Sequence, residues 1–258
     1  MSLNHKESSR MSSNKSRELF KKYAAAVVYV NVELPNGDQS IGTAFHVGNG
    51  VFITARHVVD GTKILEIANT TSYWEQDDSG GVLHGKEGRY RNISPAKGEL
   101  VGKPYFHPED SVDIAALVVK GLECPAIPLG SHLDDWINDE AFSLSQVIIM
   151  GYPPIPFSKE PTLISSRAEV NAVIDKYTGG HPHFIVSSMA RGGFSGGPCI
   201  IEWDFALGVV TESLVENDAN PESGYMAVIS IEPVYVCLSH HGLLPKEKAE
   251  GWDGLWDN

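Results

Sequence analysis

Long apolar runs are missing from this 258-residue chain. No stretch approaches the ~18 consecutive apolar residues that a membrane-spanning helix requires, so no membrane partner is expected. Residues 1–18, MSLNHKESSRMSSNKSRE, carry no apolar segment of the secretory kind, which argues against export. Cysteine is scarce: Cys124, Cys199 and Cys237 are odd in number and widely spaced. That excludes a disulfide framework and fits free, packed thiols in a reducing, cytoplasmic setting. Basic residues are outnumbered 20 to 33 by acidic ones, giving a formal charge of −13. With acid clusters at Glu75–Asp78, Asp134–Glu140, Glu216–Glu222 and Glu247–Asp257, a nucleic-acid partner is not expected. No internal repeat is visible. Long amphipathic helical patterns are absent between residues 60 and 230, which rules against alternating strand–helix units.

What is present describes an ordinary folded protein, with 42% hydrophobic and 21% charged residues. Ser16 and Glu18 suit the start of a short helix whose apolar side is Leu19, Phe20, Tyr23 and Ala24. Val28, Val30 and Val32 then alternate with polar neighbours, and Pro35-Asn36-Gly37-Asp38 turns the chain into Ser40–Val47. Further short strands are expected at Val51–Ala55, Lys63–Ala68, Val112–Val119, Gln146–Met150, His183–Ser187, Pro198–Ile201, Leu207–Thr211 and Tyr225–Ile231. A closing helix is expected after Pro233, with Val234, Cys237, Leu238 and His241 at helical spacing and Gly242 as its stop. Many short strands joined by glycine-rich turns mean an all-β fold. The expected layout is a flexible tail over 1–18, a first β-barrel over 19–123 and an inter-barrel linker over 124–139. A second barrel with the terminal helix follows over 140–245, then an acidic tail over 246–258.

One octapeptide is hard to explain as a folding element: Arg191-Gly192-Gly193-Phe194-Ser195-Gly196-Gly197-Pro198. Glycine weakens strands and helices, and is used where backbone takes unusual dihedrals or approaches a ligand closely. Packed around a hydroxyl, it lets consecutive N–H groups converge on one point, the geometry that stabilises an oxyanion. A serine nucleophile needs a base near neutral pH, and the base needs an orienting acid. Among ten histidines, His57 stands out because it directly follows a strand in Phe52-Ile53-Thr54-Ala55-Arg56-His57-Val58-Val59. The acid candidate is Asp113, at the mouth of the apolar run Ile114–Val119, with Glu109 and Asp110 as nearby rivals.

Together with Gly42-Thr43-Ala44-Phe45, these segments resemble the trypsin-like (chymotrypsin-fold) serine peptidases, in that family's order of His, Asp and Ser. Within the family the chain is most similar to the bacterial high-temperature-requirement proteases. Ile127-Pro128-Leu129-Gly130-Ser131, Gly151-Tyr152-Pro153 and Gly224-Tyr225-Met226-Ala227-Val228 add to the likeness, which spans roughly residues 19–243. The resemblance implies two six-stranded antiparallel β-barrels, hydrolysis of protein or peptide substrates through an acyl-enzyme, and no cofactor. It implies that Ser195 is the nucleophile, His57 the general base and Asp113 its orienting acid. The N–H groups of Gly193 and Ser195 would form the oxyanion hole.

Two departures carry expectations. Phe194 stands where animal digestive members have the aspartate that pairs with a new N-terminus, so activity is expected in the unprocessed chain. Met189 stands where trypsin has its specificity aspartate, so a small or medium apolar P1 residue is expected. Thr211-Glu212-Ser213 would pair with substrate backbone and Ala227 would line the pocket. The larger relatives carry a further peptide-binding module, for which this chain is expected to have no room. Oligomeric state is left open.

Three other readings compete. Gly193-Phe194-Ser195-Gly196-Gly197 also fits the nucleophile elbow of α/β-hydrolases, with Asp218 and His240 or His241 downstream, but Pro198–Ile201 after it is strand-like where an elbow needs a helix. Cys237 with His240 and His241, or His181 with His183, could suggest a metal, but no metal-binding motif frames them and none is expected. An inactive peptide-binding protein on the same fold is the third.

Overall fold

The computed structural model describes residues 15–74, 90–131, 134, 137, 139–158, 160–176, 180–189, 191–214 and 225–245. The acid clusters at Glu75–Asp78, Glu216–Glu222 and Glu247–Asp257, and residues 1–14, lie outside them. A helix over residues 15–23 (α1) opens the described chain, starting inside the stretch expected as a tail. Leu19 and Tyr23, one turn apart, are buried, whereas Phe20 stands about 100° further round the helix and is exposed. Tyr23 Oη donates to Asp204 Oδ1 at 2.8 Å and Lys22 Nζ reaches Oδ2 at 2.6 Å, tying the helix to a turn 181 residues away.

The first barrel holds β1 (Val27–Glu33), β2 (Gln39–Gly48), β3 (Val51–Thr54), the one-turn helix α2 (Arg56–Val59), β4 (Lys63–Trp74), β5 (Tyr90–Leu100), the two-residue β6 (Tyr105–Phe106) and β7 (Ala115–Lys120). Its strands follow the order β3-β2-β1-β4-β5-β7, and antiparallel pairing of β3 with β7 closes a six-stranded ring, with β6 added outside β7. After the short helix α3 (Asp139–Phe142), the second barrel holds β8 (Gln146–Gly151), β9 (Ile164–Ile174), β10 (His183–Val186), β11 (Pro198–Ile201), β12 (Phe205–Leu214) and β13 (Tyr225–Ser230). These close in the order β10-β13-β12-β11-β8-β9. The helix α4 (Glu232–His240) follows, ended by Gly242 at φ +65° with Leu243 N–H bonding Leu238 C=O at 2.7 Å. The all-β, two-barrel expectation is met. Among the described residues no helix is long and apolar enough to cross a membrane.

The period-2 alternation of strands builds three layers of core. Val28, Val30 and Val32 of β1 point into the first barrel with Phe52 and Leu117, while Val27 and Tyr29 face the other way. Val147 and Ile149 of β8 point into the second barrel, and Ile148 and Met150 face out of it. The outward sets meet in a joint core, with the Tyr29 and Tyr152 rings edge to face at 5.5 Å. The connection between barrels runs across both: Ile127 N–H bonds His46 C=O, and Gly130 N–H bonds Ala206 C=O. A shared core between the barrels fixes the position of one half of the site against the other.

Candidate active site

His57 sits in α2, immediately after β3. Ala55 keeps extended backbone (φ −76°, ψ 140°), so the chain turns sharply into the helix and sends the imidazole over the barrel junction. Asp113 lies just before β7, the strand that pairs with β3, and this pairing brings the two side chains together. Asp113 Oδ1 accepts the His57 backbone N–H at 2.9 Å, and Oδ2 meets His57 Nδ1 at 2.7 Å. One carboxylate therefore grips both the backbone and the ring. It places a proton on Nδ1 and leaves the Nε2 lone pair toward the cleft. Of the rivals, Asp110 is 92% exposed and pairs with Arg56 at 2.9 Å, and Glu109 gives its backbone N–H to His107 Nδ1 at 3.1 Å. The same Arg56 stacks on the Phe106 ring and pairs with Asp60, which steadies α2.

Partial burial works to lower the His57 pKa, but the Asp113 hydrogen bond, the Asp113 charge and the charge of Glu212 outweigh it. The net direction is upward from the ordinary imidazole value. The pair is half-exposed, with His57 at 51% and Asp113 at 30%. Solvent therefore screens much of what it contributes to stability.

Ser195 comes from the second barrel, in the loop leading into β11. Gly193 has φ +92°, and Phe194 N–H bonds Arg191 C=O at 3.3 Å, the pattern of a type II turn with glycine third. A Cβ on Gly193 would lie 2.5 Å from Tyr152 O, and one on Gly196 only 2.1 Å from Thr43 O. Sterics thus require both glycines. The loop is clamped at several points: Thr43 Oγ1 donates to Gly193 C=O at 2.6 Å, Gly196 N–H bonds Val210 C=O at 2.7 Å, and Thr43 N–H bonds Ser195 C=O at 2.9 Å. Phe194 is buried in the second barrel's core, so an apolar anchor holds the loop where an ion pair would otherwise be needed. Phe194, Gly196 and Gly197 all have backbone partners for their N–H groups, whereas among the described residues those of Gly193 and Ser195 have none. Two unpaired donors, one on the serine itself and one two residues before it, are what an oxyanion site consists of.

His57, Asp113 and Ser195 line one cleft of about 500 Å³. His57 and Ser195 share it without a hydrogen bond between them. Such contacts are often long before substrate is bound. The remaining walls are Ser111, Lys176, Arg191, Gly192, Val210, Thr211, Glu212 and Met226. Three substrate-site expectations meet different fates. Thr211 and Glu212 line the cleft, and Ser213 lies on the same strand, its side chain outside the described residues. Met189 is 61% exposed and is not among the lining residues, where Arg191 and Gly192 stand instead. Ala227 is buried and is not among the lining residues, whereas its neighbour Met226 lines the cleft, as adjacent strand residues point to opposite sides. Lys176, the partner of Glu212 at 2.5 Å, carried no sequence signal at all. His183 Nε2 approaches Glu212 from beneath at 3.6 Å, with burial and then the Lys176 charge driving its pKa down.

A search of curated proteins returns no significant match. Solved structures give the fold. The Rv3671c protease of M. tuberculosis in its active form aligns with a TM-score of 0.58 at 18% identity, covering 88% of this chain and 85% of that one. The HtrA-type protease AlgW, solved with a tripeptide, aligns at 0.58 and 18%, covering 88% of this chain and 64% of that one. A serine endoprotease from Yersinia pestis gives 0.54 and 16%, with 88% and 66% covered. At the level of sequence, the profile of the trypsin-like peptidase domain matches residues 42–208, well over half of the chain, and the protein belongs to that family.

Proposed function

We propose that this protein is a serine endopeptidase in which Ser195 attacks the scissile carbonyl, His57 takes its proton and later delivers it to the leaving amine, and Asp113 holds His57 in the required tautomer. The bidentate grip of Asp113 on His57, facing Ser195 across one cleft, is the observation that supports this most. Charge developing on the carbonyl oxygen is met by the free N–H groups of Gly193 and Ser195. Each such donor typically contributes about 3 kcal/mol to transition-state stabilisation. No step calls for a cofactor.

Residues Glu212–Leu214 of β12 pair with β13 alone among the described residues, leaving one strand edge open for an extended substrate. Val210, Thr211 and Met226 line the cleft, and among the described lining residues the one carboxylate beyond Asp113, Glu212, is paired with Lys176. That lining supports a small or medium apolar P1 residue over Lys or Arg. The substrate is a protein or peptide. Three unpaired cysteines, two of them buried, support a reducing cytoplasmic setting, and the charge of −13 argues against nucleic acid as a partner.

Labelling with a fluorophosphonate tests the reading. Stoichiometric modification that disappears in Ser195→Ala and His57→Ala is expected. A folded wild-type chain that takes no label but still binds peptides would make this an inactive binding protein.

A further inference from the structure

Behind the cleft, three side chains from distant parts of the chain converge on a second cavity. Asp134 comes from the connection between barrels, His181 from the approach to β10, and Glu232 from the first position of α4. Their ligand atoms all lie within 4.8 Å of one another. All three line a cavity of about 380 Å³ beside Val173, Ile174 and Asp175. Asp134 Oδ2 meets His181 Nδ1 at 2.5 Å, and Glu232 Oε2 accepts the Asp134 backbone N–H at 2.8 Å. The other Asp134 oxygen, Oδ1, is buried and has no hydrogen-bond partner among the described residues, in a side chain that is 12% exposed.

A buried carboxylate oxygen without a donor is costly, and two carboxylates crowded around one imidazole leave an excess of negative charge even when His181 is protonated. His107 packs edge-on against His181 with ring centroids 5.9 Å apart, and its Nε2 is likewise buried without a partner. A cation answers the unpaired oxygen, the crowded charge and the cavity at once.

We propose that Asp134, His181 and Glu232 form a binding site for a divalent metal ion, with zinc as its preferred occupant. Mixed imidazole and carboxylate donors suit zinc, whereas calcium and magnesium take oxygen donors. Three protein ligands leave a fourth position, which opens on the cavity. Tetrahedral zinc distances of about 2.0–2.2 Å set ligand atoms roughly 3.5 Å apart, so on binding Asp134 and His181 give up their direct hydrogen bond and separate. The ion would fasten the inter-barrel connection to α4 and to the strand that carries His183, whose Nδ1 bonds the His181 carbonyl at 2.8 Å. Its role is to brace the wall behind the cleft, and the hydrolytic chemistry does not pass through it.

The full chain, stripped with chelator and titrated calorimetrically with zinc chloride, tests this. One zinc per chain is expected, with a rise in Tm and little response to calcium. Asp134→Asn and His181→Gln should each weaken zinc binding at least tenfold while keeping the wild-type circular dichroism. Failure to take up stoichiometric zinc overturns the site. Unchanged affinity in both folded variants also overturns it, by placing the ion elsewhere, such as at His240 and His241. Calcium bound in preference to zinc contradicts a site built around an imidazole. None of these readouts depends on Ser195, so the metal site and the hydrolase reading fail separately.

Discussion

Replacing Asp113 with Asn keeps the shape of the side chain and removes its charge and its capacity to accept two hydrogen bonds at once. The wild-type carboxylate accepts from the His57 backbone N–H at 2.9 Å and from Nδ1 at 2.7 Å. An amide has one oxygen. If that oxygen keeps the backbone bond, the NH₂ group faces Nδ1, which must then accept, and the ring proton moves to Nε2. In that tautomer His57 has no lone pair for the Ser195 proton. The expected loss in kcat is about 10⁴-fold, equivalent to ~5.5 kcal/mol of transition-state stabilisation. Stability should barely move, because the pair is half-exposed and worth less than about 1 kcal/mol. The sign of that small term is fixed. A raised His57 pKa stabilises the fold below the unfolded value of about 6.5 and ceases to do so as pH rises through the folded value, so any loss in the variant appears on the acid side. The assay is the rate of fluorophosphonate labelling together with peptide turnover, with Tm as control. A variant that keeps kcat within tenfold of wild type would refute the tautomer argument.

Three further perturbations follow from the same geometry. Glu212→Gln removes one of the charges holding the His57 pKa up; since His57 works deprotonated, the acid limb of kcat/KM should move to lower pH, and an unmoved limb would deny the coupling. Phe194→Ala empties a buried position under the nucleophile loop and should cost about 3–5 kcal/mol of stability with a lower Tm, whereas an unchanged Tm would mean the anchor is unimportant. Met226→Ala should deepen the cleft floor and shift the preferred P1 residue toward larger apolar side chains in a peptide library; an unaltered profile would put the specificity pocket elsewhere.

Val27–Glu33 announces itself through alternation, and Gln146–Gly151 through a short unbroken apolar run. Tyr90–Leu100 and Ile164–Ile174 are less legible, because most of their residues are small, polar or charged and the first includes Pro95 and Gly98; they are held by pairing with neighbours that sequence does not name. His57, Asp113 and Ser195 were legible because each occupies a local context that is hard to explain otherwise. The cleft walls were less so. Met189 and Ala227 were placed by resemblance, and a shift of register between β12 and β13 near Val210–Glu212 decides which side chain reaches the cleft. Asp134, His181 and Glu232 come from three segments of chain and share no motif, so only the closed second barrel brings them together.

Hydrolysis at this site requires proton transfer across the barrel junction, from a hydroxyl on one barrel to an imidazole on the other. A crystal structure with a peptidyl boronate tests this most directly. Continuous density from Ser195 Oγ to boron is predicted, with a boronate oxygen about 2.7–3.1 Å from the N–H groups of both Gly193 and Ser195 and His57 Nε2 closed onto the adduct. An inhibitor lying unattached in the cleft, or bonded to another residue, would contradict it.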